Sequence, residues 1–371
     1  MEHTHRKILI SGGGTGGHVF PAIAIATAIR RRMPTADILF VGAIGRMEMT
    51  VVPAAGYPII GLPVIGLPRK NLLTLFSFFR NLIMSIKKSR AIIRDFSPDV
   101  VVGVGGYASF PVLWAAGNMC IPVLIQEQNS YAGISNKLLA KKAKKICVAY
   151  ENMNKYFPQE KIIYTGNPVR EDLRDIKNKR TEALAFYNLQ NSKPVLLITG
   201  GSLGAATLNK SVIKYLNILT DAGVQVLWQT GKLYSDNIKK QLIGINLSGI
   251  YILDFIVRMD LAYAAADIIV ARAGACTISE LCIVAKPVIL VPSPNVAENH
   301  QVKNASVLHK RQAAVMIYDH EAEQRLIPEA FNLLNDKKRM ESMAAAISLL
   351  AKPHAADVIA DEIIQLSKKE K

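Results

Sequence analysis

The 371-residue chain lacks several features that would narrow its function at once. Its four cysteines, Cys120, Cys147, Cys276 and Cys282, lie apart among mostly apolar neighbours, and no two form a C-x-x-C pair. That excludes a zinc ribbon or a disulfide scaffold and reads as reduced thiols of a cytosolic protein. No uninterrupted apolar run reaches the roughly 18 residues of a membrane span, so no transmembrane helix is expected. The polar start, Met1 to Lys7, leads straight into an apolar strand and does not read as a signal peptide. Aromatic residues are few, at 7%, and do not interleave with the basic runs. Neither zinc-finger spacing nor an RNA-recognition signature is present, which argues against a nucleic-acid partner. No D-x-D triplet occurs, so no metal site is expected.

Acidic residues are scarce in one half only. Residues 1–170 hold 21 Lys/Arg against 8 Asp/Glu, a net +13, whereas residues 171–371 carry only +3. A basic half attracts an anionic partner such as anionic lipid or a phosphorylated substrate, a solvated basic surface being the alternative. Within that half lies the apolar stretch Leu72 to Ile86, interrupted by Arg80. It is flanked by Arg69 and Lys70 before and by Lys87, Lys88 and Arg90 after. This pattern suits a segment lying in a membrane interface, and equally a core helix with an arginine at its rim.

What the chain does have is a repeated plan. Apolar runs at 7–11, 38–42, 99–104, 121–125 and 145–149 alternate with helical patterns near 19–32, 71–95, 108–118 and 131–142. The second half repeats the alternation, with strands at 194–199, 224–229, 250–254, 267–271, 287–291 and 313–317. Its helices fit 205–219, 233–242, 258–265, 276–285 and 297–309. The pattern is purely helical after residue 320 and ends in a helix at about 354–369. Such alternation predicts an α/β protein of two doubly wound parallel-sheet domains, divided near Gly166-Asn167-Pro168.

Each half carries a glycine loop at the end of its first strand: Gly12-Gly13-Gly14-Thr15-Gly16-Gly17-His18, and Gly200-Gly201-Ser202-Leu203-Gly204-Ala205. A strand that turns through glycines into a helix aims backbone N–H groups at one spot, so both loops are expected to be anion sites. The first loop contains a formal G-x-G-x-x-G. The second strand, however, ends in Gly42-Ala43 with no ribose-binding carboxylate, and Asp37 precedes that strand, which argues against a nicotinamide cofactor. His18, at the strand-to-helix junction, can serve as a general base or simply contact backbone. Gly103-Val104-Gly105-Gly106-Tyr107 and Gln126-Glu127-Gln128-Asn129 follow further strands, where an open parallel sheet binds ligands. In the second half, Arg272-Ala273-Gly274-Ala275-Cys276-Thr277-Ile278-Ser279-Glu280 offers N–H groups to phosphate and a carboxylate to a ribose diol. The alternative is a capping arrangement, with Thr277 as N-cap and Glu280 closing the box. Glu298-Asn299-His300-Gln301 opens a later helix and can present polar groups to a sugar.

These segments in this order, GGGTGGHVFPAIAIA, GVGGYASFPV, QEQNSYAGISNKLLA, GNPVR, GGSLGA and ARAGACTISE, closely resemble the MurG family of peptidoglycan glycosyltransferases over almost the whole chain. The resemblance implies a GT-B fold, two Rossmann-like domains facing across a cleft. An acceptor- and membrane-facing domain would span 1–166, joined by the helix at 354–371, and a UDP-GlcNAc-binding domain would span 167–353. It implies inverting transfer of N-acetylglucosamine (GlcNAc) from UDP-GlcNAc to the 4-hydroxyl of the N-acetylmuramic acid (MurNAc) of lipid I, giving lipid II, without a cofactor. It further implies a peripheral protein on the cytoplasmic face of the bacterial inner membrane, held through the basic half and residues 72–88, and working with the cell-wall synthesis machinery.

Carried over by position, His18 is the first candidate for the base and Glu127 the second. Thr15, Gly16 and Gly17 lie at the donor sugar and the acceptor diphosphate, Asn129 contacts the transferred sugar, and Tyr107 is a further substrate-binding residue. Arg170 and Ser202 hold the UDP diphosphate, and Ile256 offers backbone groups to uracil. Ala275, Cys276, Thr277, Ile278 and Ser279 bind phosphate and ribose, with Glu280 on the ribose hydroxyls, and Gln301 reads GlcNAc hydroxyls. Leu203 stands where many relatives have glutamine. A UDP-GlcNAc 2-epimerase, with the same two-domain fold, and a non-catalytic membrane scaffold that binds nucleotide sugar are the rival readings.

Overall fold

The computed structural model describes residues 5–66, 72–173, 175–201, 203–296 and 299–368. The chain divides into two compact units, Met1–Arg170 with Lys352–Lys371, and Glu171–Ala351. Ser202, Glu298, Arg69 and Lys70 lie outside the described residues.

The first unit runs β1 (Lys7–Ser11), α1 (Gly16–Arg32), β2 (Asp37–Ala43), α2 (Glu48–Ala54), β3 (Ile59–Leu62), α3 (Leu72–Phe96) and β4 (Val100–Gly103). It continues with α4 (Ser109–Asn118), β5 (Val123–Glu127), α5 (Ile134–Leu139), β6 (Lys145–Val148) and β7 (Ile162–Tyr164). Runs such as Ile8-Leu9-Ile10 and Val100-Val101-Val102 do not alternate with polar residues because helices cover both sheet faces, and all six side chains are fully buried. The seven strands are parallel, in the order β3-β2-β1-β4-β5-β6-β7. Helix α2 and the edge strands β3 and β7 escape the sequence pattern because they are too short to show a period. Helix α1 starts earlier than the sequence suggests. The N–H groups of His18 and Val19 bond to the Thr15 carbonyl at 3.0 and 3.2 Å, which places the glycines and His18 inside its first turn. Asp37 opens β2, opposite Lys7, at the end of the sheet away from the glycine loop.

The second unit begins with α6 (Arg180–Phe186), β8 (Val195–Thr199), α7 (Ala206–Lys214), α8 (Leu216–Asp221), β9 (Gln225–Gln229), α9 (Lys232–Gln241) and β10 (Ile250–Leu253). Then follow α10 (Met259–Ala265), β11 (Ile268–Ala271), α11 (Ala275–Val284), β12 (Val288–Leu290), α12 (His300–Lys310), β13 (Val315–Met316), α13 (Asp319–Leu334) and α14 (Lys337–Ser348). Its six strands are parallel in the order β10-β9-β8-β11-β12-β13. The helix expected over 205–219 is two helices, α7 and α8, broken at Tyr215, whose ψ of 18° lies outside the helical range.

The last helix, α15 (Ala355–Ser367), belongs to the first unit and packs on α1. Ala356, Ile359, Ala360 and Ile363 join the core formed by Ile25 and Ile29 of α1. The ion pairs beside that seam are specific. Asp357, only 9% exposed, takes Arg31 and Arg32 together, the latter at 2.6 Å, and Arg32 also reaches Asp361 at 2.6 Å. Both arginines close the last turn of α1, where cations suit the helix dipole. Asp357→Ala is expected to cost about 1–2 kcal/mol, discounted for the exposure of both arginines. Amide exchange in α1 and α15 should then quicken about tenfold. Unchanged protection would show that apolar contacts alone hold the helix.

Candidate active site

In each sheet the strand order reverses beside the first strand, between β1 and β4 and between β8 and β11. Loops leave such a switch point toward opposite faces and open a crevice at the carboxyl edge. In the first unit the loops after β1 and β4 meet there backbone to backbone. Gly106, at φ +86°, is so close that a Cβ would stand 2.1 Å from the Gly13 carbonyl oxygen. Ser109 Oγ donates to the carbonyls of Ser11 and Gly105, both at 2.8 Å, and staples the two loops.

His18 lies against this junction. Its Nδ1 is 3.0 Å from the Val104 carbonyl oxygen. A carbonyl can only accept, so Nδ1 carries the proton and Nε2 keeps the lone pair in the neutral ring. Gln128 Nε2 donates to the same carbonyl at 2.6 Å and also to Gln126 Oε1. Gln126 Nε2 donates to Asn167 Oδ1 at 3.0 Å, and Asn167 Nδ2 returns to the Gln128 carbonyl at 3.1 Å. All three amide side chains are buried. Desolvation pushes the His18 pKa down. The charges of Glu127 and Glu48 and the bonds to Val104 and Gln128 pull it back only in part.

Glu127 ends β5 and is buried, yet its carboxylate is fully engaged. Oε1 accepts from the Asn129 N–H at 3.0 Å and from Asn129 Nδ2 at 3.4 Å. Oε2 accepts from the Gly133 N–H at 3.0 Å and from Asn136 Nδ2 at 2.8 Å. It organises the loop into α5 and carries Asn129 with it. Thr15 is the N-cap of α1, its own side chain makes no capping bond, and no acid lies in the first turn, which begins with Gly16 and Gly17. Tyr107 is exposed on the loop after β4, and the Arg170 guanidinium lies 5.8 Å from the ring centre of Phe20 on α1.

One expectation changes. The glycine loop after β1 is not an unfilled anion cradle, because the Gly14 N–H donates to both oxygens of Glu48, each at 3.0 Å. Sequence reading passed over Glu48, and the only available signal was an acidic residue in a half that has few.

In the second unit, Leu203 is exposed on the loop after β8, and Gln229 Nε2 holds the Gly201 carbonyl at 2.7 Å. Ser202 lies outside the described residues. After β11, Gly274 is the N-cap of α11 and no acid occupies its first turn. Ala275, Cys276 and Thr277 supply the opening N–H groups, followed by Ile278 and Ser279. Thr277 therefore does not cap the helix, and Glu280, the sixth helical residue, is too far along to close a capping box. Glu280 instead accepts a bond at 3.0 Å from the hydroxyl of Tyr263, a buried side chain of α10 that sequence reading missed. Burial and the charge of Glu280 push the Cys276 thiol up to about 12, so it stays protonated. Arg272 is locked to the Val291 carbonyl and to Asp319. Ile256 is buried in the loop between β10 and α10. Gln301, second residue of α12, accepts the Ser293 N–H at 2.8 Å and so pins the loop after β12. Among the described residues no group of three or more His, Cys, Asp or Glu could hold a metal ion.

The models described as glycosyltransferase family 28 N-terminal domain and C-terminal domain match residues 8–148 and 195–359. A curated protein of Parabacteroides distasonis is 53% identical over 98% of this chain and 99% of its own length. It is named UDP-N-acetylglucosamine--N-acetylmuramyl-(pentapeptide) pyrophosphoryl-undecaprenol N-acetylglucosamine transferase. A protein of the same name from Cytophaga hutchinsonii is 50% identical over 98% of both chains. Among solved structures, MurG of Acinetobacter baumannii aligns with a TM-score of 0.75 and 27% identity over 97% of this chain and 99% of its own. The UDP-GlcNAc 2-epimerase of Neisseria meningitidis, bound to UDP-GlcNAc, aligns at 0.69 over 97% of this chain and 100% of its own. At 16% identity it shares the fold alone.

The desolvated ring of His18 should titrate below the ordinary imidazole value of about 6.5. Its neutral form is the one that accepts a proton, so a reaction that uses it should run at full rate through neutral pH. The rate should fall only as pH drops through that lowered value. The sign for stability is the same: the unfolded chain takes up this proton at the higher pH, so acid disfavours the fold across that window. An NMR titration of the His18 ring with a midpoint above 6.5 would refute the assignment.

Proposed function

The chain belongs to glycosyltransferase family 28, and from that premise we propose that it moves N-acetylglucosamine from UDP-GlcNAc to the 4-hydroxyl of the MurNAc of lipid I, making lipid II. The observation that carries this reading is the identity of 53% with a transferase of that name over 98% of the chain. The geometry supplies matching chemistry. His18 Nε2 takes the proton of the acceptor hydroxyl while that oxygen attacks the anomeric carbon of the donor. The bond to UDP breaks on the opposite side and the configuration inverts. His18 is the better base because Nδ1 is held by Val104, which leaves Nε2 for the substrate. Glu127 has four donors already and acts as a positioning group for Asn129.

The leaving diphosphate needs its charge met as the bond breaks. The first turn of α11, the glycine loop around Ser202, and Arg170 are assigned that task, with no metal. Glu280, oriented by Tyr263, takes the ribose hydroxyls. Ile256 lies at uracil, Gln301 and Asn129 at the GlcNAc hydroxyls, and Thr15, Gly16, Gly17 and Tyr107 at the reacting sugars and the acceptor diphosphate.

The acceptor is a lipid, and the first unit has a surface suited to it. On α3 the side chains of Phe79, Ile83 and Met84 are about half exposed, at 52, 55 and 49%, beside exposed Arg80 and Lys87. No helix among the described residues is long and apolar enough to cross a membrane. We infer a peripheral seat on the cytoplasmic face of the inner membrane. Apolar residues of α3 enter the interface there, cations of the basic half meet anionic headgroups, and the enzyme serves the machinery of wall growth and division.

Transfer of labelled GlcNAc to a lipid I analogue tests the reaction. His18→Ala should lower kcat by about a hundredfold or more, the scale of a lost general base. Glu280→Ala should mainly raise the KM for UDP-GlcNAc. Epimerised donor without transfer would turn the assignment to an epimerase. For the membrane seat, Phe79→Asp with Ile83→Asp should weaken binding to anionic vesicles by about tenfold or more, with the circular dichroism unchanged. Retained binding would mean that this face of α3 does not touch lipid.

A further inference from the structure

Glu48 is a carboxylate without an assigned task, placed where a ligand would be expected. It opens α2 and is fully buried. Both its oxygens accept the Gly14 N–H at 3.0 Å, and Oε1 also accepts the Ala43 N–H at 2.9 Å. Ala43 ends β2 and Gly14 lies in the loop that follows β1, so one side chain ties together the carboxyl ends of two neighbouring strands. The surrounding backbone is shaped to it. A Cβ at Gly13 would stand 2.1 Å from Glu48 Oε1, and one at Gly42 would stand 2.6 Å from Cγ. The carboxylate thus fills, from inside the protein, the kind of backbone nest that elsewhere holds a phosphate.

We propose that Glu48 is a positioning residue for the transfer reaction: it fixes the glycine loop that leads into the first turn of α1, and through that turn the place and charge environment of His18. The proposal rests on His18 being the base. Gly14 is followed directly by Thr15, whose carbonyl receives the N–H of His18 at 3.0 Å, so a shift of the loop is a shift of the ring. The groups that face His18 are the Val104 carbonyl after β4, Glu127 at the end of β5 with the Gln128 amide after it, and Glu48 from α2. Both carboxylates favour the protonated ring.

The test compares Glu48→Gln and Glu48→Asp in the full-length enzyme, by GlcNAc transfer across pH and by UDP binding. The glutamine offers one acceptor oxygen where the carboxylate offers two, and carries no charge. Its kcat should fall about tenfold or more while the KM for UDP-GlcNAc stays within about twofold, because Ile256, Glu280 and the first turn of α11, assigned to UDP, lie in the other unit. The acid limb of its kcat/KM profile should move to lower pH, since a charge that favours imidazolium is gone. Glu48→Asp keeps the charge and should leave the limb near its wild-type position. Wild-type kcat in Glu48→Gln overturns the proposal. So does a fall in kcat with an unmoved limb, which means packing alone, and so does loss of UDP binding together with rate, which means loss of the fold. A wild-type acid limb that persists in His18→Ala removes the base assignment instead.

Discussion

Both units obey one constraint. In a parallel sheet every strand delivers its carboxyl end to the same edge, and the chain must return through a helix before it can do so again. Polar groups that are to act together must therefore sit on the short loops at that edge. Loops part widely enough to admit a ligand only where the strand order reverses. His18 follows β1, Val104 follows β4 and Glu127 ends β5. The glycines at 200–204 follow β8, the Gly274 turn follows β11, and Gln301 opens the helix after β12. The interior of each sheet is correspondingly uniform, with apolar side chains buried on both faces.

The interaction that gives this edge its chemistry in the first unit is the shared Val104 carbonyl. It accepts from both His18 and Gln128, and the amides of Gln128, Gln126 and Asn167 continue the chain inward. A buried amide left without a partner costs about 1–3 kcal/mol, so such a chain holds each member to a single orientation. For His18 the outcome is chemical. The bond fixes the tautomer, burial disfavours the charged ring, and the remaining nitrogen of the neutral form is an acceptor. Asn167 lies in the segment that leads out of the first unit, so the ring's environment depends on backbone far from it in sequence.

How much of this could be read from the sequence depends on the range of each interaction. The central strands were legible because Ile8-Leu9-Ile10 or Val195-Leu196-Leu197-Ile198 can be little else between helical periods. The glycine turns, His18 and the Gln126–Asn129 run were legible because their residue types are unusual at strand ends. The three residues of β7 and the seven of α2 carry no period to detect. The partners were hidden for another reason. Nothing near Tyr263 announces Glu280 seventeen residues later, and nothing near Glu48 announces Gly14, thirty-four residues before it. Local pattern places elements, but it does not reveal which side chains will meet once the strands are paired. The start of α11 shows the same limit at short range. Thr277 and Glu280 have the spacing of a capping box, but the helix begins at Ala275, so the carboxylate faces Tyr263 instead.

The two glycine loops look alike in sequence and differ in what fills them. Around Gly14 the backbone donor is already matched by the Glu48 carboxylate. A phosphate on the Gly14 N–H itself would meet that charge at close range. Two like charges about 4 Å apart repel by about 4 kcal/mol at the effective dielectric of a protein surface. No acid occupies the first turn of α1, α7 or α11. The two loops thus differ at one donor, the Gly14 N–H, which an internal carboxylate already holds. A basic half that carries few acids spends one of them in its interior, so the glycine loop there serves as a support for His18, with its donor already occupied.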